Sequence, residues 1–285
     1  MLYLILCVIC SVSVGVIFKV IRKFQPLSMM QVLMWNYLVA LLLSFFIFKP
    51  DFTAVGRNAP WVIYTLLSVL LPLIFLFLIA SIRHTGIVKT DAAQRLSLII
   101  PILAAYFIFQ EKFNLFKIIG ISICFPAIWL ILKKPDAQKS KKWIFPAVVL
   151  LGFGVIDTMF KKIATYTEIP YTTSIFIIFA GALIVSKILV ANEMFACKTK
   201  IQGKNLLFGF IVGVFNFGNI IFYLTAHKTF ATNPSTVFAS INIGVIVLGS
   251  IVGTLVFKEK LSILNYAGIL LAVAAILFIT LSQVY

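Results

Sequence analysis

The chain is a series of long apolar runs separated by short polar connections. Ten runs can be drawn, each bounded by charged or turn-forming residues, and each is close to the roughly 20 residues with which a helix crosses a membrane. The pattern predicts an all-α integral membrane protein with ten transmembrane helices. These are expected near residues 2–21, 29–48, 61–81, 91–110, 114–132, 143–160, 172–191, 205–225, 234–257 and 262–282.

Composition supports the membrane assignment and removes other classes of protein. Of the 285 residues, 62% are hydrophobic and 11% are charged, whereas soluble domains are about 45–50% apolar and about 25% charged. A water-soluble fold of this size would have too few polar side chains to cover its surface. An ordinary cytosolic enzyme, a secreted domain and a disordered chain are therefore excluded. We expect a multi-pass protein in the lipid bilayer of a plasma (inner) membrane.

The chain is strongly basic, with a net charge of +16. Its Lys and Arg residues stand in short clusters between the apolar runs, where cations anchor helices to lipid headgroups. A nucleic-acid partner is therefore not expected. Loops after odd-numbered runs carry more of these cations than loops after even-numbered runs. By the positive-inside rule, this excess places the odd loops in the cytoplasm and both termini outside.

The two halves of the chain repeat one another. At an offset of 148 residues, Glu111 corresponds to Glu259 and Gly120 corresponds to Gly268. Further matches at that offset are Phe109 with Phe257, Lys112 with Lys260, Ala127 with Ala275 and Ile131 with Ile279. Several matches at one offset make chance similarity a poor explanation. The predicted units are a first five-helix repeat at 1–134, a basic linker at 135–142 and a second five-helix repeat at 143–285.

The number of spans in each repeat determines how the repeats are related. Because five is odd, the second repeat must enter the membrane from the opposite side. Two similar halves of inverted topology are then related by a pseudo-twofold axis in the membrane plane. Such inverted repeats are typical of secondary transporters, whose substrate sites lie near mid-membrane between the halves.

With these features the chain resembles the EamA-type carriers of the drug/metabolite transporter superfamily over essentially its whole length. The resemblance is carried by the five-plus-five spans and by the Glu that closes the fourth span of each half, Glu111 and Glu259. Gly120 and Gly268 near the start of the next span and Pro101 in the fourth span add to it. The resemblance implies export or exchange of a small metabolite, such as an amino acid, through a cavity between the halves. It also implies cytoplasmic termini, so the orientation stays open.

Charged side chains inside a bilayer are expensive and are functional candidates by default. Arg95, beside Gln94 in the fourth span, is predicted to bind an anionic group of the substrate, because Arg stays charged and presents a planar fork of donors. Lys19, late in the first span, is a second candidate for the same group. The alternative for Arg95 is an ion pair with Asp91, four residues earlier on the same helix.

Three acidic residues are candidates for coupling and gating. Asp157 lies well inside the sixth span and is predicted to carry a coupled proton; neutralisation by Lys161, four residues later, is the alternative. Glu111 and Glu259 stand at span ends. They are predicted to cap helices and pair with nearby Lys residues, and ion pairs that gate the carrier by opening alternately are the alternative.

Three amides complete the candidate substrate site. Asn216 and Asn219 are three residues apart in the eighth span and share a helix face, and Asn242 in the ninth span corresponds to Gln94 in the fourth. Asparagine in a membrane helix must face inward to find partners. Each is predicted to line the cavity, and a hydrogen bond between helices is the alternative.

No catalytic residue, metal site or cofactor is predicted. The four Cys form no disulfide framework, and no P-loop, zincin or nucleophile-elbow motif is present. We therefore expect a secondary transporter that moves a small organic metabolite by alternating access. The alternatives are an integral-membrane enzyme and a non-transporting membrane sensor or assembly partner. Gly249 and Gly253 form a small-residue surface that predicts close helix packing, within a monomer or across a homodimer.

Overall fold

A computed structural model of the chain gives its helices and their packing. Wherever the structure describes the chain, its regular elements are helices and no β-strand occurs. The described residues are 2–21, 24, 27–56, 58–107, 114–132, 141–164, 166, 168–229 and 234–282. The all-α class that the apolar pattern predicts is therefore confirmed for this part of the chain.

The helices follow the predicted segments closely, apart from the fourth and the ninth. Their bounds are α1 Leu2–Ile21, α2 Met29–Phe48, α3 Trp61–Thr85, α4 Ile87–Leu96, α5 Ile99–Phe107, α6 Leu115–Leu132, α7 Ile144–Ala164, α8 Tyr171–Cys197, α9 Gly203–Thr229, α10 Pro234–Ile251 and α11 Ile263–Leu281. Within the described residues, six helices are long and apolar enough to cross a membrane, namely α1, α2, α3, α8, α9 and α11. Shorter apolar helices cover Leu115–Ile131, Ile144–Phe160 and Ser240–Val256. The chain is an integral, multi-pass membrane protein.

The fourth predicted span is broken in two, which corrects the expectation of one continuous helix over 91–110. A turn at Ser97 separates α4 from α5. Pro101 has no N–H with which to bond the Ser97 carbonyl in an α-helical turn, and that carbonyl instead accepts from the Ile100 N–H at 2.9 Å. The Ser97 hydroxyl also donates to the Gln94 carbonyl at 2.6 Å, which further loosens the helical ladder.

The ninth predicted span is irregular at its end. α10 is followed by a π-helical turn, Val252–Val256, in which the Phe257 N–H donates to the Val252 carbonyl at 3.2 Å. Gly253 in this turn lets the backbone approach α4, because a Cβ at this position would lie 2.4 Å from Val88 Cγ2. The small-residue surface of the ninth span is therefore occupied within the chain by α4.

Helices α6 and α11 run antiparallel in close contact. A Cβ at Gly120, early in α6, would lie 2.7 Å from Ile279 Cγ1, late in α11. A Cβ at Gly268, early in α11, would lie 2.8 Å from the backbone nitrogen of Ile131, late in α6. The Asn265 side chain adds a hydrogen bond to the Ile131 carbonyl at 3.1 Å. The two glycines therefore allow the backbones to meet at both ends of this pair.

The apolar core joins helices from the two halves of the sequence. α3 packs against α7 and α8, and α1 and α2 pack against α9. The largest core cluster contains the fully buried side chains of Tyr37, Tyr64 and Leu67 from the first half together with Ile178 and Phe217 from the second. The largest core cluster therefore contains side chains from both halves of the sequence.

Candidate functional site

Arg95 lies in the last turn of α4, immediately before the break in the fourth span. Its side chain is half-buried, and its Nη2 donates a hydrogen bond to the hydroxyl of Ser11 on α1. The Nε atom is buried and has no hydrogen-bond partner. A buried guanidinium donor without a partner is costly unless a ligand or water occupies it, so this cation retains capacity to bind an anion.

Polar side chains from four helices surround Arg95. It interacts electrostatically with Asp91 on its own helix, Cys7 on α1, Asp157 on α7 and Tyr223 on α9. Two of these helices belong to the first half of the sequence and two to the second. Arg95 and Asp157, two of the intramembrane charges that sequence analysis selected, therefore interact across the two halves.

Asp157, on α7, is the acidic residue of the second half that acts on Arg95. It is exposed although it interacts electrostatically with Arg95, Tyr171 and Tyr223. The residue is therefore exposed and lies within electrostatic range of the Arg95 cation. The side chain of Lys161, its alternative partner, lies outside the described residues, as does Glu111.

The ion pair between Asp91 and Arg95, which was the alternative to anion binding, is not formed. No hydrogen bond or salt bridge joins the two side chains, both of which the structure describes, although they interact electrostatically. Asp91 is 7% exposed, and its Oδ2 atom is buried without a hydrogen-bond partner. The i, i+4 spacing thus places the two charges on neighbouring turns without neutralising them by contact.

The two amides of the eighth span form hydrogen bonds with two different helices. Asn219 donates to the Cys7 carbonyl at 2.9 Å, which holds α9 against α1 close to Arg95. Asn216 instead donates to Asn36 Oδ1 at 3.2 Å and so bonds α9 to α2. Both amides therefore make the helix–helix hydrogen bond that was their alternative, and Asn219 makes it to Cys7, which interacts electrostatically with Arg95.

Gln94 and Asn242, the equivalent amides of the fourth and ninth spans, are both half-buried. They come from α4 and α10, which pack against each other. Because these helices belong to different halves, the two amides stand on elements that meet at the interface between the halves. Their position is compatible with the predicted lining of a cavity.

Lys19 is directed away from the Arg95 cluster. It lies eight residues beyond Ser11 on α1, about 12 Å along the helix axis, and its ammonium forms a salt bridge with Glu259. The ammonium also lies 4.7 Å from the centre of the Phe257 ring, a distance typical of a cation–π contact. The structure therefore assigns Lys19 a partner from the end of the ninth span.

The carboxylate of Glu259 caps a helix from the other half of the chain. It accepts the Ile87 N–H at 2.7 Å and the Val88 N–H at 3.2 Å, so it lies at the positive N-terminus of α4. Gly86 precedes that helix with φ +92°, and a Cβ there would lie 2.5 Å from Glu259 Oε2. Lys19, Glu259 and the α4 N-terminus together form what we call the end latch.

The partners in these contacts could not be read from the sequence. Sequence analysis selected Arg95 and Glu259 by their charge, but Ser11 is 84 residues from Arg95 and Lys19 is 240 residues from Glu259. A hydroxyl in an apolar run is common and carries no signal of its own. The repeat pattern singled out Glu259, but its partner in the salt bridge is Lys19 of α1 and not a Lys nearby in sequence.

The comparison with protein families decides the identity of the chain. The sequence model of the EamA-like transporter family matches residues 1–133. The chain belongs to this family. EamA membership confirms the resemblance on which the sequence analysis relied, and it makes the chain a member of a family of membrane transporters.

Two similar proteins extend the comparison beyond the matched EamA segment. An uncharacterized protein from Haemophilus influenzae strain Rd is 39% identical over 285 residues, covering 96% of this chain and 95% of its own length. One solved crystal structure superposes with a TM-score of 0.61 over 99% of this chain and 96% of the other, at 10% identity. At that identity the likeness concerns the fold alone, and it shows that the whole chain has an architecture seen in another protein.

Proposed function

We propose that this EamA-family protein is a secondary transporter that moves a small amino-acid-like metabolite across the plasma membrane, by export or exchange. The observation that carries the proposal is the juxtaposition of Arg95 and Asp157, a half-buried cation and an exposed carboxylate from different halves of the chain. Opposite charges within electrostatic range of each other match the carboxylate and ammonium of a zwitterion. Charges placed inside membrane helices point to a functional site.

The proposed mechanism is alternating access of two inverted repeats, residues 1–134 and 143–285, joined by the linker 135–142. The helix pairing supports it. α1 packs on α9 and α3 packs on α7, which pairs the first span with the eighth and the third with the sixth. In the repeat, the first span is equivalent to the sixth and the third span is equivalent to the eighth. Exchanging the halves therefore converts the first–eighth pair into the sixth–third pair, as a pseudo-twofold axis requires.

The contacts between α6 and α11 support the same relation. Gly120 and Gly268 are equivalent in the repeat, and so are Ile131 and Ile279. Gly120 contacts Ile279 and Gly268 contacts Ile131. In each half, therefore, the equivalent glycine contacts the equivalent isoleucine of the other half. An arrangement of this kind gives two conformations of comparable energy when the halves exchange shapes, which is what alternating access needs.

In this scheme Arg95 holds the substrate carboxylate, and Asn219 supports the site from α9. The broken fourth span suits that role, since discontinuous membrane helices expose backbone groups at substrate sites in secondary transporters. The end latch closes one end of the path. Glu259 joins Lys19 on α1 and the N-terminus of α4, so opening that end requires the ninth span to leave both of them.

The test of the proposal is binding and uptake in proteoliposomes that contain the purified protein. An amino acid that the protein accumulates is compared with its methyl ester and with the deaminated acid, which lack one charge each. We expect both analogues to bind less well than the parent compound. Equal binding of ester and parent would contradict the role of Arg95.

The matched variants are Arg95→Gln, Arg95→Lys and Lys204→Gln. Because a charge-assisted hydrogen bond contributes about 1.5–3 kcal/mol, Arg95→Gln is expected to weaken binding about tenfold to a hundredfold. Arg95→Lys should restore part of the loss, since it returns the charge without the planar fork. Lys204→Gln removes an exposed cation at the start of α9 and should have no effect. Absence of uptake for all small metabolites would contradict the transporter assignment.

A further inference from the structure

Asp91 is a buried carboxyl group that the substrate site does not use. It is 7% exposed, and its Oδ2 atom is buried with no hydrogen-bond partner. A buried carboxylate normally has a cationic partner or accepts several hydrogen bonds, because the bare anion is strongly disfavoured in an apolar environment. In a membrane protein such a group requires an explanation in terms of function.

The position of Asp91 is at the interface between the two halves. Its Oδ2 atom is directed at the ninth span, since a Cβ on Gly249 would lie 2.5 Å from it. One turn earlier on α4, Val88 contacts Gly253 of the same span in the same way. On the other side Gly15 of α1 comes within 3.9 Å of Asp91 Oδ1, measured from an added Cβ. Glycines on two helices therefore enclose the carboxyl group.

The charges that act on Asp91 do not neutralise it. Arg95, on the next turn of α4, donates to Ser11 and makes no hydrogen bond or salt bridge with Asp91. Glu259 is an acid and interacts unfavourably with a second negative charge. Lys19, one helical turn beyond Gly15 on α1, pairs its ammonium with Glu259. Among the described residues packed against it, α1 and the ninth span present glycines to the carboxyl group.

We propose that Asp91 is the proton-binding site that couples transport to the proton gradient. The inference rests on the proposed function. In the conformation described here Asp91 is a neutral carboxylic acid, which fits a glycine-lined contact between α4 and the ninth span. When the halves separate and water reaches the group, its O–H bond breaks, the proton passes to water and the carboxylate remains. Rebinding a proton from the other side allows the contact to close again, so one proton crosses per cycle.

Asp157, the proton carrier that the sequence predicts, is less suited to this step. Its side chain is exposed in this conformation, whereas the Asp91 carboxyl group is enclosed between α1 and the ninth span. Asp91 changes from a dry contact to a hydrated position whenever α4 leaves the ninth span. A proton site is effective when its surroundings differ in this way between the two states.

The experiment measures proton movement and substrate exchange separately in proteoliposomes. Internal pH is followed with a trapped pH-sensitive dye during substrate uptake, and exchange of labelled for unlabelled substrate is followed without any gradient. For Asp91→Asn we expect exchange to continue while substrate-driven pH change falls to the protein-free background. The loop variant Asp51→Asn, which changes an exposed acid bonded to Thr53, should keep the pH change per substrate moved. A full pH change per substrate moved in Asp91→Asn would overturn the proposal.

A second readout does not depend on substrate and stays informative if the Asn variant folds poorly. Infrared difference spectra of the intact protein across a pH series should contain a carboxylic-acid C=O band that persists in Asp157→Asn and Asp51→Asn. The band should shift in Gly249→Ala, because the added methyl group would press on Oδ2. If wild-type protein exchanges no substrate but shows this band, the transport proposal fails while the proton site stands. A band that is unaffected by both Asp91→Asn and Gly249→Ala would refute the site.

Discussion

At the scale of single residues, Glu259 illustrates how one side chain connects distant parts of the chain. Its carboxylate accepts two backbone N–H groups of α4 and the Lys19 ammonium. Lys19 and Glu259 have side chains that are 21% and 9% exposed, so the pair is largely sheltered from water. Partly buried pairs with additional hydrogen bonds are held more firmly than pairs on the surface.

Gly86→Ala tests how closely the latch is fitted. Alanine at φ +92° is strained, and its Cβ would lie 2.5 Å from the Glu259 carboxylate, so we expect a loss of about 1–3 kcal/mol in stability. Thermal unfolding of the purified protein in detergent measures it. Gly56→Ala is the matched control, since nothing lies within 4 Å of a Cβ at that position. Equal unfolding temperatures for the two variants would contradict the fitted contact.

The candidate site could be predicted from sequence only where a residue is unusual for its surroundings. Arg95 and Asp157 stand out because a charge inside an apolar run is expensive. Ser11 and Tyr223 do not stand out, because hydroxyl groups are frequent in membrane helices. The ion pair of Asp91 with Arg95, the alternative that their spacing suggested, is not formed, because Arg95 bonds to Ser11 on α1 instead.

At the scale of elements, the break in the fourth span is the main departure from the predicted helices. Hydropathy places the segment correctly but does not report whether its hydrogen-bond ladder is continuous. Pro101 was visible in the sequence, yet proline also occurs inside unbroken helices of this protein, at Pro72 in α3 and Pro126 in α6. Each of those prolines also follows a serine by four residues, and the Ser68 and Ser122 hydroxyls donate to carbonyls four residues earlier. At the break, the Ser97 hydroxyl donates to the carbonyl three residues earlier, that of Gln94. The same serine–proline spacing therefore occurs in broken and unbroken helices, and the sequence alone does not distinguish them.

Pro101→Ala should test whether the break serves transport. Alanine restores an N–H that can bond the Ser97 carbonyl, so α4 and α5 are expected to join more readily and the protein to keep or gain stability. The uptake rate in proteoliposomes should fall, because a continuous helix moves Arg95 relative to the rest of the site. Pro126→Ala, in α6, is the control that changes a helical proline away from the site. Unchanged uptake in Pro101→Ala would show that the break is not needed.

At the scale of the whole molecule, the chain is organised by contacts between its two halves. The sequence repeat predicted two related units, and the offset of 148 residues identified the positions that correspond. It could not predict which helices of one unit touch the other, because such contacts depend on packing between residues far apart in sequence. The contact of Val88 and Asp91 with Gly253 and Gly249 is of this kind. It joins α4 to the ninth span, so alternating access requires it to break.

A disulfide across that contact should therefore stop the cycle. The double variant Val88→Cys/Gly253→Cys is suited to it, since the Cβ of residue 253 would lie 2.4 Å from the present Val88 Cγ2, which puts the two Cβ atoms near the range for a disulfide. We expect uptake to cease on oxidation and to return with a reductant. Each single variant serves as a control, in a background without Cys197, the exposed native thiol. Continued uptake after complete cross-linking would mean that the contact persists through the cycle.

The sheltered position of the Glu259 carboxylate has a consequence for how the protein responds to its solution. A helix N-terminus is a natural place for a free chloride or phosphate ion, but here a group of the protein itself fills it. Dissolved electrolyte weakens attraction between charges in open water far more than between groups that are covered. The rate at which this end of the molecule opens should accordingly be nearly the same in dilute and concentrated buffer.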